Sequence, residues 1–216
     1  MSSFLLKIIA IITMSIDHLG FVFFENNAIF RIIGRIAMPI FAFQIAIGFK
    51  NTRSKSKYIF RIFLTALLSE FPFMLMFISN NLAYSSHNIC FTFTLALLIL
   101  YLIELGKKDK IFILTSIYLI LVSIFLPIDY GIWAILLVLL FYFFEKKQLI
   151  YTCGMIIIAL TYYLIRNNPV QIYMLLSLPF LYLYNGKKGK SLKYWFYVFY
   201  PLHMLILAFI KIYFKI

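Results

Sequence analysis

Charge is what this sequence has least of. Only 12% of its 216 residues are charged, with seven Asp and Glu in all, against 64% hydrophobic. A soluble domain carries roughly 25% charged residues to cover its core. At half that share the apolar side chains cannot be shielded from water, so lipid is the expected solvent. A soluble fold, a disordered chain and a soluble nucleic-acid binder are thereby excluded. Cysteine is nearly absent too: Cys90 and Cys153 stand on different apolar stretches, with no CxxC pair, which excludes a disulfide scaffold. There is no GxSxG elbow and no HxxxH or ExxH pair, so no metal is expected. The run at 185–190, NGKKGK, lacks the GxxxxGK[ST] spacing of a phosphate loop and reads as a solvated turn. No internal repeat or linker divides the chain, and no inverted halves of the kind common in transporters stand out. A single integral-membrane domain over 1–216 is expected.

What the chain does have is long hydrophobic runs. Apolar stretches cover 4–24, 31–49, 58–78, 89–105, 111–127, 130–144, 149–165, 169–184 and 194–214. They predict an all-α, polytopic membrane protein of about nine transmembrane helices, with eight or ten as the bounds, since several fall short of the roughly 20 residues of a typical span. Lys7 before the first run resembles a signal-peptide start. No small-x-small cleavage site follows, so 4–24 is read as the first membrane helix.

The net charge of +13 is arranged, not scattered. Lys50, Arg53, Lys55, Lys57 and Arg61 separate the second and third runs. Lys107, Lys108 and Lys110 follow the fourth, Lys146 and Lys147 the sixth, and Lys187, Lys188, Lys190 and Lys193 the eighth. The alternate connections hold almost none: 79–88 is uncharged, 127–131 has only Asp129, and Arg166 is alone. Lys and Arg gather on the cytoplasmic side. The N-terminus is therefore predicted cytoplasmic and the C-terminus outside, with the bilayer, not nucleic acid, as the partner of this charge.

Ionisable groups inside a span are costly unless paired or wetted, and mark functional sites. Here they are Asp17, His18, Arg31, Arg35, Glu70, Asp129 and His203, all in the outer half or near the middle by the orientation above. Pro39, Pro72, Pro127 and Pro201, four of the six prolines, lie within four residues of one of them. An interior proline strips a donor from the carbonyl four residues back, and broken backbone in a membrane is tolerated where it lines a cavity or is buried. One polar cavity joining these groups is expected. Arg31 and Arg35 share a helix face, whereas Asp17 and His18 point apart. Asp17 should meet the arginines while His18 points into the cavity. The plainer alternative is that Arg35 pairs with Asp17 or Glu70 only to hold helices together. His87, in a polar loop with Ser85, Ser86 and Asn88, reads as a satisfied polar residue.

Four segments carry a resemblance: LKIIAIITMSIDHLG at 6–20, RIIGRIAMPIFAFQIAIGF at 31–49, YIFRIFLTALLSEFPF at 58–73 and YWFYVFYPLHMLIL at 194–207. With their DH–G, GRIA-PIFAF, SE-PF and YPLH elements in order, the chain resembles the TraX family, whose namesake acetylates pilin at its N-terminus. A more distant similarity links it to acyltransferase-3 membrane acyltransferases, in which an Arg-x10-His pattern marks the first helix. Lys7 and His18 have that spacing, with Lys in place of Arg, and Gly34 to Phe43 resembles the second element. The resemblance implies acetyl-CoA as acyl donor, His18 as catalytic base and a cytoplasmic cation near the donor. Lys cannot reproduce the bidentate grip of Arg, which bears on the donor role more than on the base.

The residues themselves fit that outline. Acyl transfer needs a base with a near-neutral pKa, which histidine supplies. His18 lies eleven residues past Lys7, roughly 16 Å along a helix and about half the hydrocarbon thickness. The resulting expectation is a multi-pass acetyltransferase of the bacterial cytoplasmic (inner) membrane. His18 and Asp17 would be catalytic; Arg35, Glu70, Asp129 and His203 would shape the cavity or bind substrate; Lys7, Arg53, Lys57 and Arg61 would hold the phosphates of acetyl-CoA. The acceptor would be an amine or hydroxyl of a peptide, protein or saccharide. The alternative is a transporter or flippase with a buried proton relay.

Overall fold

In hydrocarbon a helix satisfies its backbone polar groups within one segment, and every apolar stretch takes that route. The computed structural model describes residues 1–24, 27–190 and 193–214, without the side chains of Lys193 and Tyr194. The helices are α1 (Ser3–Phe23), α2 (Ala28–Gly34), α3 (Ala37–Asn51), α4 (Lys55–Ser79), α5 (Ile89–Leu105), α6 (Ile111–Val122), α7 (Gly131–Phe144) and α8 (Gln148–Arg166). A 3₁₀ helix (Pro169–Ser177) then runs into α9 (Leu178–Tyr182), and α10 spans Lys193–Phe214. The described residues form no strand; a lone bridge joins His87 and Ile128. Polar side chains set the starts: Ser2, Asn27, Ser54, Asn88 and Asn168 each accept a first-turn N–H.

Length divides these helices. Five are long and apolar enough to cross a membrane: α1, α2 with α3 (Ala28–Asn51), α4, α8 and α10. α5, α6, α7 and the 169–182 segment are shorter. The stretch expected over 111–127 stops at Val122, where Ser123 turns its hydroxyl back onto the carbonyl of Ile120 and Pro127 lies ahead. α2 and α3 are parted at Arg35 and Ile36. Pro39 falls in the first turn of α3, where its missing N–H has no helical acceptor to leave bare. Over 169–177 the fully buried residues are Gln171, Met174 and Ser177, a spacing of three that a 3₁₀ helix stacks directly in line.

Two cores result. The larger gathers Leu6 and Ala10 of α1, Phe43 and Phe49 of α3, Leu97 and Leu100 of α5, Phe141 of α7 and Tyr151 of α8. The smaller holds Met14 and Val22 of α1, Phe73 and Met76 of α4, and Tyr200, Met204 and Ala208 of α10.

The connections alternate in space as they do in charge. At one end, hereafter the basic end, Lys50 pairs with Glu145 at 3.2 Å and Lys55 with Glu104 at 3.3 Å, and Ser3 N–H donates to the Lys187 carbonyl at 2.8 Å. At the far end Asn80 donates to the Phe21 carbonyl at 3.0 Å, His87 N–H to Pro127 at 2.7 Å, and Lys211 to Val22 at 2.6 Å. The start of α1 and the last turns of α10 thus lie at opposite ends.

Candidate functional site

A cavity of about 940 Å³ extends inward from the basic end between α1, α3, α4, α5 and α10. Lys7, Arg53, Lys57, Arg61, Lys188 and Lys190 line it, and no Asp or Glu does. None of the six makes an ion pair among the described residues, where such pairs fall on Arg31, Arg35, Lys50, Lys55 and His87. Nε of Arg61 is buried without a partner, as is Nε2 of Gln44 in the same wall. The Lys7 ammonium sits 5.3 Å over the Phe196 ring. Deeper in, the walls are apolar: Ile11, Met14, Phe41, Ile45 and Phe93.

The four cations expected to hold phosphates therefore do line one cavity, and two more join them. The 185–190 run is the exposed turn its sequence suggested, with an added task. It caps α1: Ser3 and Phe4 N–H groups, orphans of a first helical turn, donate to the Lys187 and Lys188 carbonyls at 2.8 and 3.1 Å. Gly189 has φ +72°, and a Cβ there would lie 2.7 Å from Ser2 Oγ, so glycine is required where the turn meets the helix. That docking carries Lys188 and Lys190 to the cavity.

At the far end Asp17 takes the arginines, as their shared face predicted. Arg31 donates to it at 3.0 Å and Arg35 at 3.1 Å. Arg35 is 7% exposed and also donates to Tyr130 Oη at 2.6 Å and Gln171 Oε1 at 3.2 Å. A Cβ on Gly34 would run into the Asp17 carboxylate, which explains the glycine of the GRIA element. Asp129, in the 123–130 connection, feels Arg35, yet burial pushes its carboxyl up to about 6. Both Asp17 oxygens are engaged by guanidinium groups, and Asp17 is not the partner of His18.

That partner is His203. Nδ1 of His18 lies 2.7 Å from Nε2 of His203, whose own Nδ1 is 2.9 Å from the Phe199 carbonyl. Both histidines were candidates, but 185 residues separate them and no spacing argument joined them. Neither lines the large cavity, a correction to the expectation for His18. The cavity wall stops at Met14, Phe199 and Tyr200, one helical turn short. Phe199 both lines the cavity and stacks on His203, centroids 5.0 Å apart, and so joins the two.

Glu70 is elsewhere again. Its carboxylate takes the Tyr84 hydroxyl and the His87 ring and the Asn88 amide at 2.6 Å. Burial and that carboxylate hold the Tyr84 phenol above its ordinary value. One expectation is corrected here: the ionisable groups form separate clusters rather than one pocket. His87, exposed and held by Glu70, is the satisfied polar residue expected. Sequence reasoning does not reach the roles of Tyr130, Gln171 and Phe199, because polar or aromatic residues in apolar stretches carry no local signal of what they face, nor those of Tyr84 and Asn88, which depend on how the 79–88 connection folds back.

The family model described as TraX protein matches residues 2–211. The chain belongs to the TraX family. Among its relatives, the probable fimbrial assembly protein FimC, serogroup H1, of Dichelobacter nodosus is 29% identical over 98% of this chain and 96% of that protein. The uncharacterized protein RP591 of Rickettsia prowazekii (strain Madrid E) is 40% identical over 72 residues, 31% of this chain and 29% of that protein. No solved structure matches this TraX chain.

Proposed function

We propose that this TraX chain is an integral membrane acetyltransferase that moves an acetyl group from cytosolic acetyl-CoA to an amine or hydroxyl acceptor, with His18 as general base. The observation that carries this reading is the cavity: six cations without counter-ions, an apolar interior, and an inner wall shared with the histidine pair. Six unpaired cations around the mouth of one recess suit a polyanion. The phosphates of acetyl-CoA would lie against Arg53, Lys57, Arg61, Lys188 and Lys190, and the slim thioester arm against Ile11, Met14 and Phe93. Buried, partnerless Nε of Arg61 suits an anionic ligand at that depth. In the transfer the acceptor's nitrogen or oxygen forms a bond to the acetyl carbonyl carbon, the carbon–sulfur bond breaks, His18 takes the acceptor's proton, and the departing thiolate is protonated to the free thiol.

Nine crossings, with the basic end in the cytoplasm of a bacterial inner membrane, complete the proposal. Connections gathered alternately at two ends, and the start of α1 and the end of α10 lying at opposite ends, support it; so does the bias of Lys and Arg. The short helices then cross a locally thinned bilayer or lie half buried in protein. The name of the Dichelobacter relative, a fimbrial assembly protein, favours a fimbrial subunit as acceptor, met from the outer side.

The test is release of free thiol from acetyl-CoA by the purified protein, given a peptide with a fimbrial subunit's amino terminus. His18→Ala should lower turnover by about 10²-fold or more at unchanged thermal stability. Equal turnover would end the base assignment. Gradient-driven flux in proteoliposomes without thioester cleavage would replace the enzyme with a transporter.

A further inference from the structure

We propose that His203 is a positioning residue: through it, one backbone carbonyl of α10 dictates which nitrogen of His18 carries a proton, leaving Nε2 of His18 as the pair's only open lone pair. The use made of that lone pair rests on the base assignment above; the proton pattern does not.

The argument follows from what each atom is able to do. A carbonyl oxygen only accepts, so the proton between the Phe199 carbonyl and Nδ1 of His203, 2.9 Å apart, belongs to His203. A neutral imidazole has one N–H, so Nε2 of His203 is a bare acceptor. It lies 2.7 Å from Nδ1 of His18. Two lone pairs at that distance repel, so Nδ1 of His18 must be the donor. His18 has then spent its single proton, and its Nε2 is bare. No hydrogen bond from the described residues reaches that Nε2. The ring geometry agrees: the planes are within 1° and the centroids 5.0 Å apart. With a 2.7 Å nitrogen–nitrogen contact, that separation describes two rings in line and in one plane, where the lone pair points along the bond.

Phe199 fixes the start of this chain twice. Its carbonyl holds Nδ1 of His203, and its ring stacks on the His203 ring at 5.0 Å and 8°. The cavity wall and the element that orders the histidines are therefore one residue. When His18 takes a proton at Nε2, the Nδ1–H bond to His203 becomes charge-assisted and strengthens. His203 answers that charge with the lone pair of its Nε2, which stays aimed at Nδ1–H of His18.

The chain has three histidines, so selective ¹⁵N-histidine labelling in detergent or nanodiscs gives a readable nitrogen spectrum, assigned by His87→Gln and His18→Gln. The expected result is Nδ1–H with bare Nε2 on both His18 and His203. In His203→Phe, which removes the acceptor, His18 should shift toward the Nε2–H form usual for free imidazole. In His203→Gln, whose amide oxygen accepts from Nδ1–H, His18 should keep the wild-type pattern. Turnover should fall about 10-fold or more in His203→Phe, as for other bases left in the wrong tautomer, with KM for acetyl-CoA unchanged and partial recovery in His203→Gln. An Nε2–H His18 in the wild type, an imidazolium at His203, or a His18 spectrum indifferent to His203→Phe would each overturn the proposal. If the spectra behave as expected while His18→Ala keeps full turnover, the positioning stands and the base assignment alone falls.

Discussion

At the basic end six cations share one cavity with no carboxylate among them. At the far end one carboxylate, Asp17, is clasped by two guanidinium groups at 3.0 and 3.1 Å, while Tyr130, Gln171 and the Arg31 carbonyl accept from the other nitrogens of Arg35. Burial differs: Arg53, Lys57, Lys188 and Lys190 are exposed and Lys7 and Arg61 half-buried, whereas Arg35 is buried. The further difference is whether the protein supplies its own counter-ion. A buried charge that finds its partner within the chain fixes helices to one another; one that does not is stable only where water or a visiting anion reaches it. On this view the far-end ion pairs are structural, and the basic cavity is where a ligand completes the electrostatics.

The sharpest way to break the comparison is at its most heavily partnered group. Asp17→Asn keeps the shape and deletes the charge, leaving the Arg35 guanidinium buried against a second cation. Losing one member of a buried pair costs about 3–5 kcal/mol, so the variant should accumulate poorly and melt far below the wild type. Adding Arg35→Met should recover part of that loss, since the stranded charge goes with it. A melting temperature unchanged in Asp17→Asn would mean that the far end tolerates free cations as the cavity does.

Gly34→Ala tests the same pair more gently. Its new methyl would occupy the space of the Asp17 carboxylate, forcing α1 and α2 apart or bending the ion pair. Overpacking of this kind costs about 1–3 kcal/mol. Unlike Asp17→Asn, it should leave the charge balance intact, so raising the salt concentration should not change its size. Thermal melts of the two variants at low and high salt compare them directly.

At the other end Arg53→Gln, Lys57→Gln and Lys188→Gln should behave in the opposite way. Each exposed cation contributes little alone, so acetyl-CoA binding should weaken by up to about fivefold per substitution, more visibly at low salt. Stability without ligand should not fall, because no partner is left stranded. Calorimetric titration beside a thermal melt reads both. A substitution that lowers stability while sparing binding would move that cation to the structural class.

The contrast was partly legible in the sequence. Lys7, Arg53, Lys57 and Arg61 could be grouped because basic residues recur in connections of one parity, a signal that survives without knowing any contact. Asp17 with Arg31 and Arg35 was legible because the two arginines stand one helical turn apart. The helices were legible as apolar runs; their lengths were not, since α6 stops at Val122 within a continuous apolar run and the 169–177 stretch tightens to a 3₁₀ helix around Gln171, Met174 and Ser177. The histidine pair was out of reach for a different reason. His18 and His203 face each other only because α1 and α10 pack together, and a lone histidine in an apolar helix looks the same whichever neighbour it meets. The pairing of Glu70 with His87, and the reach of Lys188 and Lys190 into the cavity, depend likewise on how loops fold back.

Asp129 stands between the two classes and sharpens the comparison most finely. It sits near Arg35 without bonding it directly, and burial outweighs that attraction, raising its carboxyl from 3.8 to about 6. A raised value means that the native state disfavours the ionised form. The cost is absent below 3.8, grows as the pH rises, and is complete above about 6. Asp129→Asn should therefore stabilise the protein at pH 7.5, by about 1 kcal/mol once solvent access to this connection is allowed for, and the gain should vanish by pH 4. Melts of both proteins across that range give the curve. Destabilisation at pH 7.5 would instead make Asp129 a second counter-ion of the arginines, and the far end would hold two acids against two bases, more fully paired than the bonds to Asp17 alone imply.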